Sequence, residues 1–255
     1  MKKVALASAI LLAVPFTAQA DLLFTVGAKA SIWDAKPTGQ IDDDASVESD
    51  GLNFKSENGK QLSVFFEHPV PFIPNVKLKR TDLDMDGSGE LTKEITFAQE
   101  NFTVNEQISS NIDISHTDAT LYWGLPIPLP YINVDFGLTA RMFDGDASVT
   151  RASDPTNPKS VDLDLTLPMA YGAVKVGSPF GLYAAADVNW IGVGDNKMTD
   201  LNAVVGYELP IPIVDAGLEV GYRGINLQTD REDTDIEADL DVTGLFYGLS
   251  VSVGF

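Results

Sequence analysis

Leu245-Phe-Tyr-Gly-Leu-Ser-Val-Ser-Val-Gly-Phe255 alternates between two chemistries along its whole length. The odd positions are Leu245, Tyr247, Leu249, Val251, Val253 and Phe255, all apolar; the even ones are Phe246, Gly248, Ser250, Ser252 and Gly254, mostly small and polar. Successive side chains of a β-strand point to opposite faces, so one face of this strand is apolar and the other is not. A transmembrane β-strand needs about 9–11 residues at a tilt of about 45°. The segment has that length.

The same pattern recurs upstream, separated by proline-rich punctuation. Pro69–Pro74, Pro126–Pro130, Ser178–Gly181 and Pro210–Pro212 are short and apolar, and each precedes a new alternating run. Proline is a poor strand-interior residue and a good breaker. Between these turns lie longer acidic stretches, near 34–58, 82–110, 144–160, 192–199 and 226–241. Short turns at one end and long loops at the other are the asymmetry of an outer-membrane barrel. The expected fold is all-β: one transmembrane antiparallel β-barrel with periplasmic proline turns and extracellular acidic loops. Four short turns join eight strands, and one strand at each end makes ten, with eight or twelve as alternatives.

The predicted strands are 22–33, 60–68, 75–83, 112–123, 132–143, 161–176, 182–191, 199–208, 216–225 and 243–255. The fourth is irregular, because Ile112 and Ile114 lie on one parity and Ala119, Leu121 and Trp123 on the other. A bulge would reconcile them. Residues 91–106 also read as strand and are expected in a hairpin above the membrane. Predicted lipid faces are Leu22/Phe24/Val26/Ala28/Ala30/Ile32, Leu62/Val64/Phe66, Val134/Phe136/Leu138/Ala140/Met142, Leu163/Leu165/Leu167/Met169/Tyr171, Leu182/Ala184/Ala186/Val188/Trp190 and Leu218/Val220/Tyr222. Pro168, inside the sixth strand, is expected to delete one ladder hydrogen bond.

Residues 1–20, MKKVALASAILLAVPFTAQA, read as a cleaved signal peptide: Lys2 and Lys3 lead, an apolar stretch follows, and Ala18-Gln19-Ala20 matches a small-residue cleavage site. Residues 21–255 are then the barrel. Loss of the two lysines takes the net charge from −20 to −22, which argues against nucleic acid as a partner. The sequence has no cysteine, and so no disulfide framework or thiolate chemistry. No segment beyond the leader approaches about 18 consecutive apolar residues, the length of a membrane helix. Only a closed barrel then satisfies every backbone group in lipid.

The C-terminal strand resembles the assembly signature of outer-membrane barrels, carried by Tyr247, Leu249, Val251, Val253 and Phe255. The whole of 21–255 resembles a family of uncharacterised outer-membrane β-barrels of Gram-negative gammaproteobacteria. The residues carrying that resemblance are Ile114–Tyr122, Pro168-Met-Ala-Tyr171, Gly194-Asp-Asn196, Val205–Pro210 and Gly221-Tyr-Arg223. The resemblance implies fold and location, and no reaction.

Three groups of residues invite chemistry. Lys29, Asp135, Arg141, Asp187, Glu219 and Arg223 are assigned to the barrel interior. Side chains largely fill a barrel this narrow, so these charges are expected to pair and close it; the competing reading is a thin polar conduit. Asp82, Asp84, Asp86 and Glu90, with Gly87 between, resemble the start of a calcium loop. Yet Lys93 stands where that motif needs a bidentate glutamate, and the pattern favours a solvated loop tip. Ser115-His116-Thr117-Asp118 evokes a hydrolase, but adjacent strand residues face apart, so Ser115 cannot easily meet His116. His68 reads as an interfacial polar residue. No catalytic residue and no cofactor is assigned, with calcium the one candidate ion. The expected protein is a monomeric, non-enzymatic outer-membrane barrel, structural or a narrow, mostly closed channel. Its partners would be lipid, lipopolysaccharide and the barrel assembly machinery. The alternative is a surface binding or adhesion module acting through acidic, cation-responsive loops.

Overall fold

The computed structural model describes residues 24–41, 45–126, 129–211, 213–229 and 238–255. The proposed leader, Leu22, Asp42-Asp43-Asp44 and the acidic run 230–237 fall outside them. The strands in chain order are β1 (Thr25–Ile41), β2 (Ala45–Ser46), β3 (Glu57–Glu67), β4 (Asn75–Asp82), β5 (Asp84–Glu90), β6 (Ile95–Phe97), β7 (Glu100–Phe102), β8 (Gln107–Asp113), β9 (His116–Gly124), β10 (Ile132–Phe143), β11 (Gly145–Arg151), β12 (Lys159–Leu163), β13 (Thr166–Gly177), β14 (Leu182–Val193), β15 (Asn196–Leu209), β16 (Asp215–Thr229) and β17 (Ala238–Gly254).

Ten of them close into an antiparallel barrel, in the order β1-β3-β4-β9-β10-β13-β14-β15-β16-β17 and back to β1. The seam pairs Thr25 with Gly254 and Ile41 with Ala238, and Phe24 and Phe255 exchange both backbone hydrogen bonds at its foot. Closure leaves no sheet edge for lipid to meet. Among the described residues, Phe72, Tyr131, Gly181 and Ile213, in or just after the four short turns, take positive φ. His68 clips the first of them. Its Nδ1 accepts from the Val70 amide and its Nε2 lies 3.2 Å from the Pro74 carbonyl.

The exterior is apolar. Leu62, Phe136, Leu138, Leu182, Trp190, Val205, Leu218, Val220, Leu245, Tyr247 and Leu249 all stand exposed. On β17 this face runs from Leu245 to Phe255, which climbs about 25 Å at a rise of ~3.3 Å per residue and a tilt of ~45°. That is the height of a hydrocarbon belt.

Above the belt the polarity of each strand inverts while its parity continues. On β1 the outward residues change from Ile32 to Asp34 and Lys36, and the inward ones from Lys29 and Ser31 to the buried Trp33 and Ala35. On β16 the inward row passes from Glu219 and Arg223 to Ile225 and Leu227. Strands that rise out of lipid into water must hide their apolar side, so the upper barrel is built like a soluble protein.

This inversion explains where the structure departs from expectation. Most of the stretches expected to be long loops are strand: β1 and β16 continue upward, and β5, β8, β11 and β12 form a four-stranded sheet ordered β12-β11-β8-β5. That sheet prolongs the neighbouring barrel strands β13, β10, β9 and β4. β6 and β7 form the separate hairpin of the 91–106 region. The irregular fourth strand carries no parity change. Ile108, Ile112, His116, Asp118 and Thr120 share one face, with Ile108 buried in the head core and His116 and Asp118 in the lumen. The sixth lipid face is corrected: Met169 and Tyr171 are buried in the interior, and Pro168, Ala170, Val174 and Val176 face outward. Alternate leucines from Leu163 to Leu167 suggested the opposite; Leu167 packs against the apolar core of the head, while Leu165 is exposed.

Pro168 also has a place. Leu165 and Gly177 turn their backbone bonds toward β10, so by alternation Pro168 turns its nitrogen toward β14. The β13–β14 ladder begins only at Ala170. The missing N–H falls where that ladder has already ended.

Candidate functional site

The interior is layered. Uppermost is an apolar plug, one cluster joining Trp33, Ala35, Met198, Ile225 and Val242 of the barrel to Val47, Leu52, Phe54, Leu83, Met85, Phe102, Ile108 and Val149 of the head. Beneath it lies a charged layer that crosses the lumen.

Arg141 on β10 donates from Nε and Nη2 to the two oxygens of Asp118 on β9, both at 2.8 Å, and Nη2 also reaches Asp200 on β15. Arg223 on β16 grips Asp200 through Nε at 3.0 Å and Nη2 at 2.7 Å. Its Nη1 donates to Thr81 on β4 at 3.0 Å, and its guanidinium lies 4.7 Å from the Trp33 ring centroid. Arg141, Arg223 and Asp200 are fully buried. Two bidentate pairs, Arg141–Asp118 and Arg223–Asp200, joined by the contact of Arg141 with Asp200, form a stiff, charge-neutral bridge between opposite walls. Among its side chains, Arg141 Nη1 is buried without a partner.

His116 completes the layer. Its Nδ1 is 2.7 Å from the Ile114 carbonyl, which can only accept, so that nitrogen carries the proton. Nε2 is then free to accept from Arg223 Nη2 at 3.2 Å. Those two contacts define a neutral imidazole. Asp118 and Asp200 approach His116 closely enough to suggest a metal triad. Two guanidinium groups already occupy both carboxylates, so a cation would have to displace them. Ser115 Oγ accepts from the Leu83 amide at 3.1 Å instead of meeting His116. The hydrolase-like segment therefore places no hydroxyl beside the imidazole.

Below the layer a vestibule of about 320 Å³ opens toward the short-turn end. Lys29 bonds Glu219 at 2.7 Å, and Tyr183 hydroxyl donates to the same carboxylate at 2.5 Å. Lys77 donates to Tyr171 at 2.9 Å and Tyr122 to Glu67 at 2.8 Å. Asp135 and Asp187 line the wall, and Asp187 accepts from Asn202 at 3.4 Å. The structure thus puts Arg141 and Arg223 in the charged layer, and Lys29, Asp135, Asp187 and Glu219 in the vestibule.

Sequence reasoning did not assign Asp118, Asp200, Thr81 and His116 to the interior charge set. Parity would have found the acids: Asp118 shares a face with Thr120, and Asp200 with Asn202. The acidic run from Asp82 to Glu90 is corrected: it forms no sharp loop. Asp84, Asp86, Ser88 and Glu90 are the exposed face of β5, and Leu83, Met85 and Leu91 are buried around it. Asp84 and Asp86 accept from Asn111 at 2.5 and 3.1 Å, and Asp82 pairs with Arg80. Alternation above the membrane supplies three aspartates at every second position without any ion. Tyr247, Leu249 and Val251 project from the outer face of β17, and Phe255 is exposed at its foot.

No protein-family model matches the chain, and no curated protein does. Among solved structures it is similar to the translocator domain of autotransporter NalP from Neisseria meningitidis, with 14% identity, a TM-score of 0.44, and 91% of this chain and 88% of that one covered. It is also similar to the outer membrane protease OmpT from Escherichia coli, with 9% identity, a TM-score of 0.41, and coverage of 91% and 97%. A third is the CymD monoaromatic hydrocarbon channel, at 8% identity and a TM-score of 0.30, with 91% and 88% covered. A translocator, a protease and a channel lend this chain no activity.

Proposed function

We propose that the chain is an integral outer-membrane barrel without a permanent pore, which holds a compact β-rich head at the cell surface. The observation that carries this reading is the bridge Asp118–Arg141–Asp200–Arg223, which crosses the lumen under an apolar plug. Water and ions would have to break two buried bidentate pairs and part a hydrophobic core to pass. The apolar belt supports the membrane, and the leader at 1–20, removed on export, supports the outer one. The exposed apolar side chains of the short turns, Phe72, Phe180 and Ile213, suit the interfacial zone on the periplasmic side. The protein acts as a monomer, meets lipid and lipopolysaccharide around its belt, and enters the membrane through the assembly machinery that reads its last strand.

Planar-bilayer recording of the purified barrel tests this. The expected result is no steady conductance. A large, stable wild-type conductance overturns it and makes the protein a channel. A second reading, a surface-binding module, draws on the head, whose outer face sets Asp84 beside Asp113 and Asp146 beside Asp162 across paired strands.

A further inference from the structure

Beneath the charged layer one wall of the vestibule gathers several hydrogen-bond donors. Gln61 and Ser63 on β3 point into the lumen two residues apart. Lys29 and Lys79 flank Ser63 on the neighbouring strands, and Ser31 flanks Gln61. Directly opposed side chains have their Cβ atoms about 5 Å apart, so these groups form one patch.

Lys29 is paired with Glu219, but two donors of the patch are unsatisfied. Gln61 is 8% exposed, and its Nε2 is buried without a hydrogen-bond partner. Lys79 stands in no ion pair among the described residues. Its cross-strand neighbour Asp118 has both oxygens committed to Arg141. An amide donor and an ammonium left without acceptors in a half-enclosed space are costly. An oxyanion that accepts from both removes the cost, and the hydroxyls of Ser31 and Ser63 add further donors. Solvent reaches the patch, since the Lys29 side chain keeps 42% of its surface exposed. Asp187 lines the far wall, and Glu219 borders the patch where it pairs with Lys29; both carboxylates disfavour bulky polyanions and select a small one.

We propose that this vestibule is a binding site for a small oxyanion, a carboxylate or a phosphate, held by Lys79, Gln61 and Ser63. The site needs only the lumen geometry, so a conducting barrel would remove the closed-pore reading and leave this one standing.

Titration calorimetry on the full chain in detergent micelles tests it, with inorganic phosphate and acetate as separate probes and chloride held constant. The expected result is saturable one-to-one binding of at least one probe, and the stronger of the two identifies the anion class. Lys79→Met should weaken it by about tenfold or more, about 1.4 kcal/mol. Ser63→Ala, a milder change that keeps the lysine, should weaken it by a few-fold. Lys55→Met, on the exposed head, should bind like wild type. If Lys79→Met fails to fold, Ser63→Ala and Gln61→Leu carry the test. No saturable heat with either probe overturns the proposal. So does wild-type affinity in the folded lumen variants.

Discussion

Replacing Asp200 with Asn should unfasten the charged layer. Asp200 is the one carboxylate that both guanidinium groups share, with Arg223 bidentate on it and Arg141 Nη2 in contact. The wild-type set of Arg141, Arg223, Asp118 and Asp200 sums to zero charge. The variant leaves two guanidinium groups facing one carboxylate, at positions with no solvent exposure. An uncompensated charge in such a place costs about 3–5 kcal/mol. That is roughly two to three and a half powers of ten in the folding equilibrium. Urea unfolding in detergent micelles, followed by circular dichroism, would read it as a lower midpoint at an unchanged slope. Asp200→Asn combined with Arg223→Met restores neutrality and should recover a large part of the loss. Asp239→Asn serves as the exposed control: its contact with Gln228 lies on the outer face of the upper barrel, where such contacts contribute under about 1 kcal/mol. A loss below about 1 kcal/mol for Asp200→Asn, equal to the control, would refute a buried bridge.

Leu138→Arg, in the middle of the outward face of β10 and 64% exposed, should cost about 2–4 kcal/mol in lipid, whereas Asp146→Arg, above the belt on the same prolonged strand, should change stability little; equal losses in a vesicle-based unfolding titration would contradict the polarity inversion. Acid should loosen the head before the barrel: the Thr92 hydroxyl holds the Asp50 carboxyl below its ordinary value, and Lys159, 2.7 Å away, does the same for Glu100. Acids held low in the fold stabilise it at pH above their ordinary value, about 4, and lose that contribution as pH falls through and below it. Hydrogen-exchange protection at Thr92, whose amide bonds the Asp50 carbonyl, should therefore drop below about pH 4 while β16 and β17 stay protected; equal loss in both would count against a separate head. Pro168→Ala should leave thermal stability within about 0.5 kcal/mol, because no ladder bond waits for its amide; a clear gain would show that the proline interrupts the β13–β14 pairing.

The strand count, the closing seam and most lipid faces were legible in the sequence, because alternation has period two and survives any local detail. The height at which lipid ends was not. Parity says that Asp34 continues the row of Ile32, and that Asp82 continues the row of Leu78; it does not say that the solvent outside has changed. Once it changes, an aspartate at every second position is the ordinary outer face of a strand, and the buried alternates Leu83 and Met85 are its inner face. The same continuity hid the charged layer. Arg141 and Arg223 were assignable to the interior one at a time, but their partners depend on register and on which walls face each other across the barrel. Asp118 meets Arg141 as its cross-strand neighbour, whereas Asp200 meets Arg141 only across the lumen. A period-two pattern fixes the side of a residue. The shear of a closed barrel fixes its partner, and no window of sequence contains the shear. The layer falls where polar lumen gives way to apolar head, a level at which the buried arginines find Asp118 and Asp200 beside them and Arg223 meets an aromatic face, Trp33.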